Sequence, residues 1–206
     1  MGRLRRSLHR RAVRVTRAAY LAIERSPLAP ALTVPVIQRL KARVTHMPAS
    51  RVLGVLDRLA AADVPVWVAG GWGVDALAGH QTRRHYDLDL LTGDDPGQLA
   101  RAGDVLRRAG FRQAGRQHHP GLPMPCRHTW QDDEGHTVEV LPVTLADPPF
   151  GEHRFTTGVI DGRPVPCLPV ALQLTLHTGY PVRSADATDI RVLRSCLERA
   201  DRAGRA

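Results

Sequence analysis

Asp87 and Asp89 are the residues from which chemistry can first be read. They stand two apart in Tyr86–Leu91, an alternating run that reads as a strand, so both carboxylates share one face while Leu88 and Leu90 share the other. Two strand residues separate them by about 6.5 Å at the backbone. From there both side chains can lean onto one hard cation, which is how an oxygen site for Mg²⁺ is usually built. The tripeptide alone is just as well a strand end whose aspartates cap a turn, and its surroundings shift the balance. Burying unpaired carboxylates in an apolar strand is costly, and the preceding loop supplies Arg83, Arg84 and His85 as cationic partners. Further upstream, the apolar run Val66–Ala69 stops at Gly70-Gly71, and helix formers follow from Trp72 to Ala78. A glycine pair there lets the backbone approach phosphate closely, with a helix N-terminus behind it.

A third acid lies downstream. Arg127–Gln131 and His136–Leu141 read as a hairpin around Asp132-Asp133-Glu134-Gly135, with Val138, Val140 and Pro142 on one face of the second strand. Thr137, Glu139 and Leu141 share the other, so Glu139 is an acid in a mainly apolar strand.

Gly70-Gly71-Trp72, Val74-Asp75-Ala76, Gly79, Thr82-Arg83, His85 and Asp87-Leu88-Asp89 resemble the core signature of the lincosamide and aminoglycoside nucleotidyltransferases. Those enzymes belong to the DNA polymerase β-like nucleotidyltransferase superfamily. The likeness is dense from Gly70 to Asp89, looser as far as Leu193, and absent from the N-terminal segment. It implies an α/β fold: a small mixed, mostly antiparallel sheet flanked by helices, with a helical C-terminal section. It also implies Mg²⁺-dependent transfer of a nucleoside monophosphate, AMP from ATP first among them, onto a hydroxyl of a small molecule such as an aminoglycoside or a lincosamide. In that arrangement Asp87, Asp89 and Glu139 are the catalytic and metal-binding acids. The family position of Glu139 is usually Asp, so the extra methylene is a departure. Gly70, Gly71, Trp72, Arg83 and His85 fall at the nucleotide, with His177 and Tyr180 approaching it from the C-terminal section and Asp189 fixing a loop there. His177 by its residue type alone is equally a satisfied structural histidine. Asp132, Asp133 and Glu134 are candidates for an acidic patch that would help a cationic acceptor, although a solvated turn is their default reading.

The elements that must position these residues follow from the pattern. Ser50 reads as the N-cap of a helix carrying Leu53, Leu56, Leu59 and Ala60 to about Ala62. Gly93–Pro96 caps a second helix running to about Ala109, and Phe111–Gln113 begins a strand. Val159-Ile160 and Pro164–Leu168 make a hairpin around Asp161-Gly162. A helix over Pro169–Thr178 and another from Asp186 or Thr188 to about Ala200 complete the chain.

Composition sets the bounds. A chain of 206 residues with 43% hydrophobic residues can bury a proper core. No apolar run is long enough for a membrane span. Three widely spaced cysteines give no disulfide framework and fit a reducing, cytoplasmic setting. The net charge of +9 is unevenly spread. Residues 1–50 hold eleven Lys/Arg and one acid, the remainder eighteen and nineteen, so +10 and −1 sum to the total. The organisation expected is a basic helical arm over 1–47 and a nucleotidyltransferase domain over 48–206. A basic amphipathic arm over residues 1–46 suits an anionic membrane or a nucleic acid, or else docks on the domain as a solvated helix.

Other functions are weighed against this. Nucleotidyl transfer to a protein or a tRNA is kept open by the basic arm. A nucleotide-sugar glycosyltransferase would need a downstream metal-binding acid and a sugar-binding half that are not evident. A zinc site from His118, His119, Cys126 and His128 matches no common spacing. A non-catalytic RNA-binding module has no physical need for three acids.

Overall fold

A computed structural model describes residues 46–117, 127–178 and 184–203. The arm over 1–45, Tyr180, and three of the four zinc candidates (His118, His119 and Cys126) lie outside these residues. The described elements are α1 (Ala49–Ala60), β1 (Trp67–Ala69), α2 (Gly70–Ala78), β2 (Asp87–Gly93), α3 (Pro96–Arg108) and β3 (Arg112–Gln117), followed by β4 (Arg127–Gln131), β5 (Thr137–Val143), β6 (Thr156–Ile160), β7 (Arg163–Cys167), α4 (Val170–Thr178) and α5 (Ser184–Ala203). The seven strands form one sheet in the order β3-β4-β5-β2-β1-β7-β6. Pairing is parallel for β2 with β5 and for β1 with β7, and antiparallel elsewhere. The fold is therefore the mixed, mostly antiparallel α/β arrangement expected. No described helix is long and apolar enough to cross a membrane.

Alternation along β2 and β5 divides the sheet into two faces. Leu88, Leu90, Val138 and Val140 are buried in a large cluster with Val52, Leu56 and Leu59 of α1 and Val105 and Leu106 of α3. The opposite face of the same strands begins with acids and ends apolar. Leu91 and Leu141 there join a second cluster with Val143, Phe150, Leu168 and Leu172. A one-residue slip of either strand would drive Asp87, Asp89 and Glu139 into the larger core, so the core itself fixes which face carries the acids.

Element ends differ from the sequence reading where backbone chemistry overrides composition. The N-cap of α1 is Pro48, with no side-chain cap, so Ser50 already lies within the first turn. Pro48 has an extended backbone, and its carbonyl accepts the Arg51 and Val52 N–H groups. α2 begins at Gly70 instead of Trp72, because the glycine pair is itself the first turn of the helix. α3 follows the expected signals, with the Asp95 carboxylate accepting from Gln98 N at 2.6 Å and Pro96 in the first turn. α5 starts at Ser184, ahead of the expected Asp186. Met47 is buried in the larger core and its N–H donates to His85 O at 2.9 Å, so the packed domain includes it.

Gly158 of β6 lies so close to the backbone of Ala76 in α2 that a Cβ there would sit 2.6 Å from the Ala76 carbonyl. Next to it, burial pushes the Cys167 thiol up to about 11, a shift opposed in part by the Gly158 N–H. Cys167 should therefore resist a thiol-modifying disulfide reagent at pH 8 in the folded protein and react once the chain is unfolded in denaturant. Mass-mapped labelling before and after unfolding checks this. Rapid labelling of Cys167 in the native state would contradict the packing of β7 against β1.

Candidate active site

β1 runs directly into α2, and the first residue of the helix, Gly70, has φ +57°. A side chain at Gly70 would collide with the Asp89 carboxylate. One at Gly71 would collide with His85 Nδ1 and stand 2.6 Å from an Arg83 terminal nitrogen. The missing Cβ atoms therefore let Asp89, Arg83 and His85 close around the N-terminus of α2. This is a physical requirement for glycine at both positions.

The acids come together through strand register. Ala69 of β1 pairs with Asp89, and across the parallel β2–β5 ladder Asp89 pairs with Glu139 while Asp87 pairs with Thr137. Asp87, Asp89 and Glu139 thus occupy one sheet face at adjacent positions, beside the Gly70-Gly71 turn. Glu139 Oε2 also receives Arg127 of β4 at 2.5 Å, with the glutamate side chain 13% exposed. All three donors are carboxylate oxygens, and the space left by Gly70 lies against one of them. That donor set and cradle fit a hard divalent cation.

The loop from Gly79 to Tyr86 is anchored by two buried aspartates. Asp75 of α2 accepts from Thr82 N at 2.9 Å and from the Thr82 hydroxyl at 2.5 Å, and its other oxygen meets His85 Nε2. Gly79 closes α2 in the left-handed conformation (φ 78°) and turns the chain into this loop. Arg83 forks onto Asp189 of α5, with Nε donating to Oδ1 at 2.8 Å and a terminal nitrogen to Oδ2 at 2.6 Å. His177 of α4 places Nε2 3.5 Å from the same carboxylate, while its Nδ1 lies 2.8 Å from Gln173 O. Burial alone would raise the Asp189 carboxyl, but the Arg83 fork and then His177 hold it down at about 2. Burial would lower His177, but Asp189, the Gln173 carbonyl and the field of Asp186 together outweigh it, so the imidazole is raised above its ordinary value. Arg83 is also raised against the effect of burial, by Asp189 first and by the fields of Asp87 and Asp75.

Three of the expected site residues, Trp72, His85 and His177, are buried. His85 is 1% exposed, paired with Asp75 and tilted against Trp72 at 4.9 Å between ring centroids. Trp72 is buried in the larger core. Both side chains are buried and stand behind the glycine turn. His177 is likewise buried, behind Asp189. Arg83 keeps partial exposure and a place beside the turn. The acidic turn is committed elsewhere. Asp132 is buried, bonded to His136 Nδ1 at 2.8 Å and Arg51 at 2.9 Å, and Asp133 pairs with Arg112. Asp75 stands within the signature that carries the resemblance but is given no role by it, and nothing in the sequence links Arg127 to Glu139.

The model of the aminoglycoside-2''-adenylyltransferase family matches residues 51–193, well over half of the chain. The chain belongs to this family. It is a nucleotidyltransferase-type enzyme, and the family implies a nucleoside triphosphate co-substrate. It is 29% identical over 154 residues to a lincosamide resistance protein of Staphylococcus haemolyticus, covering 68% of this chain and 91% of that protein. It is 33% identical over 132 residues to a 2''-aminoglycoside nucleotidyltransferase of Klebsiella pneumoniae, covering 59% and 69% respectively. Among solved structures, lincosamide antibiotic adenylyltransferase LnuA with bound lincomycin superposes with a TM-score of 0.59 at 26% identity, covering 74% of this chain and 99% of that one. The solution structure of the antibiotic-resistance factor ANT(2'')-Ia shares the fold, with a TM-score of 0.58 at 20% identity over 72% of this chain and 83% of that one.

Replacing Asp189 by Asn should leave the Arg83 guanidinium buried against a neutral partner. With the Arg83 side chain 27% exposed, a loss of about 2–4 kcal/mol is expected. The folded carboxyl is depressed, so its contribution is full above the unfolded value near 3.8 and is lost as pH falls toward about 2. Denaturant melts of the wild type and Asp189→Asn should therefore differ most at neutral pH and converge between pH 4 and pH 2. A constant gap across that window would contradict the assignment.

Proposed function

We propose that this nucleotidyltransferase moves a nucleoside monophosphate, AMP from ATP, onto a hydroxyl of a small antibiotic-like acceptor in a Mg²⁺-dependent reaction. The observation that carries the reading is the convergence of Asp87, Asp89 and Glu139 on one sheet face beside the Gly70-Gly71 helix N-terminus. Asp87 and Asp89, with Glu139 at the edge, would hold Mg²⁺, whose chemistry there is to neutralise charge on the phosphate oxygens. The backbone N–H groups at Gly70 and Gly71 point from a helix N-terminus and suit the triphosphate. Arg83, fixed by Asp189, adds a preorganised positive charge on that side. Glu139 would accept a hydrogen bond from the acceptor hydroxyl and take its proton as the oxygen attacks the α-phosphorus. The bond from that phosphorus to the bridging oxygen breaks, and pyrophosphate leaves.

The acceptor class is supported by the names of two relatives, one acting in lincosamide resistance and the other on aminoglycosides. A chain with these acids and this turn would act on one such molecule and thereby confer resistance. A cytoplasmic location agrees with a nucleoside triphosphate co-substrate.

Calorimetric titration of ATP and of GTP with Mg²⁺ tests the donor site. The wild type should bind one nucleotide, ATP, in a metal-dependent way. The Asp87→Asn/Asp89→Asn double variant should weaken that binding by at least about tenfold, roughly 1.4 kcal/mol. Equal affinity of the double variant with Mg²⁺ would sink the assignment of these acids. In turnover assays Glu139→Gln should lower kcat by about 10²–10⁴, the usual range for removing a positioned proton acceptor.

A further inference from the structure

A buried polar group needs a partner, and on the acid-bearing face Thr137 has none. This residue opens β5, two positions before Glu139, and is fully buried. In the parallel ladder it stands directly beside Asp87, so its side chain shares the face of Asp87, Asp89 and Glu139. Its hydroxyl makes no hydrogen bond among the described residues, a costly condition at such burial. A valine at this position would fill nearly the same space and leave nothing to satisfy. The other residues of β5 are apolar apart from Glu139, so packing alone does not call for a hydroxyl here.

Three neighbours on this face could meet it. Gln131 of β4 stands opposite Thr137 in the antiparallel ladder, Asp87 of β2 flanks it on the other side, and Glu139 follows along β5. Gln131 is a neutral amide at a partly exposed position, where water serves it equally well. Glu139 is gripped from β4 by Arg127 and lies about 6.5 Å along the strand at the backbone. Asp87 lies one strand spacing away, about 4.8 Å. It already stands in the field of Arg83. Its two oxygens together still offer about four acceptor positions, so another donor can be added. Rotation between staggered wells of χ1 swings a threonine hydroxyl from one neighbouring strand toward the other. A hydroxyl bond to an ionised carboxylate is also stronger than one to an amide.

Carboxylates that hold a cation are usually held in turn by an outer hydrogen bond, which fixes their direction. The next residues of β2 on this face, Asp89 and Leu91, bring no side-chain donor. The neighbouring strand does. Resting on the transferase reading above, we propose that Thr137 is a positioning residue for the cation-binding acids. Its hydroxyl donates to Asp87 and fixes the direction of that carboxylate when Asp87 takes up Mg²⁺.

Thr137→Val and Thr137→Ser are compared with the wild type in two measurements. In thermal melts without metal or nucleotide, Thr137→Val should be at least as stable as the wild type, because an unpartnered hydroxyl is removed. In calorimetric titrations with ATP, Thr137→Val should need about tenfold more Mg²⁺ for half-maximal affinity, with ATP affinity in the absence of Mg²⁺ unchanged. Thr137→Ser, which keeps the hydroxyl, should restore most of the wild-type Mg²⁺ requirement. The shift should persist in a Glu139→Gln background, and its disappearance there would reassign the hydroxyl to Glu139 and overturn the proposal. A less stable or unfolded Thr137→Val would do the same, since the hydroxyl would then have a structural partner. So would a Thr137→Ser variant as impaired as Thr137→Val, which places the effect in packing. Metal-dependent ATP binding by the wild type with an unmoved Mg²⁺ requirement in Thr137→Val removes this proposal alone. Wild-type ATP binding that is absent or indifferent to Mg²⁺ removes the donor-site reading and this proposal with it.

Discussion

A buried carboxylate must find a partner, and two of them organise this protein. Asp75 ties Thr82 and His85 to α2, while Asp189 ties Arg83 to α5 and is backed by His177. Left unpaired at such burial, either acid would cost several kcal/mol. Paired, they close the loop between α2 and β2 from both ends. That loop carries the arginine beside the Gly70-Gly71 turn and leads into the strand of the proposed catalytic acids Asp87 and Asp89. The C-terminal helices, remote in sequence from Asp87 and Asp89, thereby become part of the site's frame.

Within that frame the chemistry depends on small residues and on register. Gly70 and Gly71 are required because Asp89, Arg83 and His85 fill the space that side chains would take. The parallel pairing of β2 with β5 sets Asp89 beside Glu139, and the burial of Leu88, Leu90, Val138 and Val140 prevents the slip that would separate them from the turn. Stability and function share the same alternation. Residues facing one way fill the core, and residues facing the other way form the acidic cluster, until Leu91 and Leu141 close it with a second apolar patch. The acids stand on the sheet face opposite the larger core, and the second apolar cluster follows them along the same strands.

Family membership explains the frame and leaves the third acid to this chain's own residues. Glu139 carries one methylene more than the aspartate that the sequence resemblance implies, and Arg127 reaches it from the neighbouring strand. The longer acid and its arginine form one unit, a carboxylate extended far enough from β5 to be gripped from β4. The turn at Asp132, which looks like an acidic patch in the sequence, is instead a structural anchor joining His136 and Arg51.

The sequence by itself determined whatever depends on local periodicity and backbone chemistry. The two-residue alternation put Asp87 with Asp89 and isolated Glu139 on an apolar strand. The glycine pair marked the strand-to-helix junction, and Asp95 and Pro96 set the start of α3. Those signals lie within a few residues of one another, so the chain carries them without reference to the rest of the fold. Only the tertiary structure decided which charges pair. Arg83 with Asp189 spans 106 positions, and Arg127 with Glu139 crosses strands whose neighbourhood is a matter of sheet order. His85 reads in sequence as a cation beside the acids, yet in space it is buried against Asp75 and Trp72. Side-chain type tells what a residue can do. Its burial and partners, fixed by long-range packing, determine what it does.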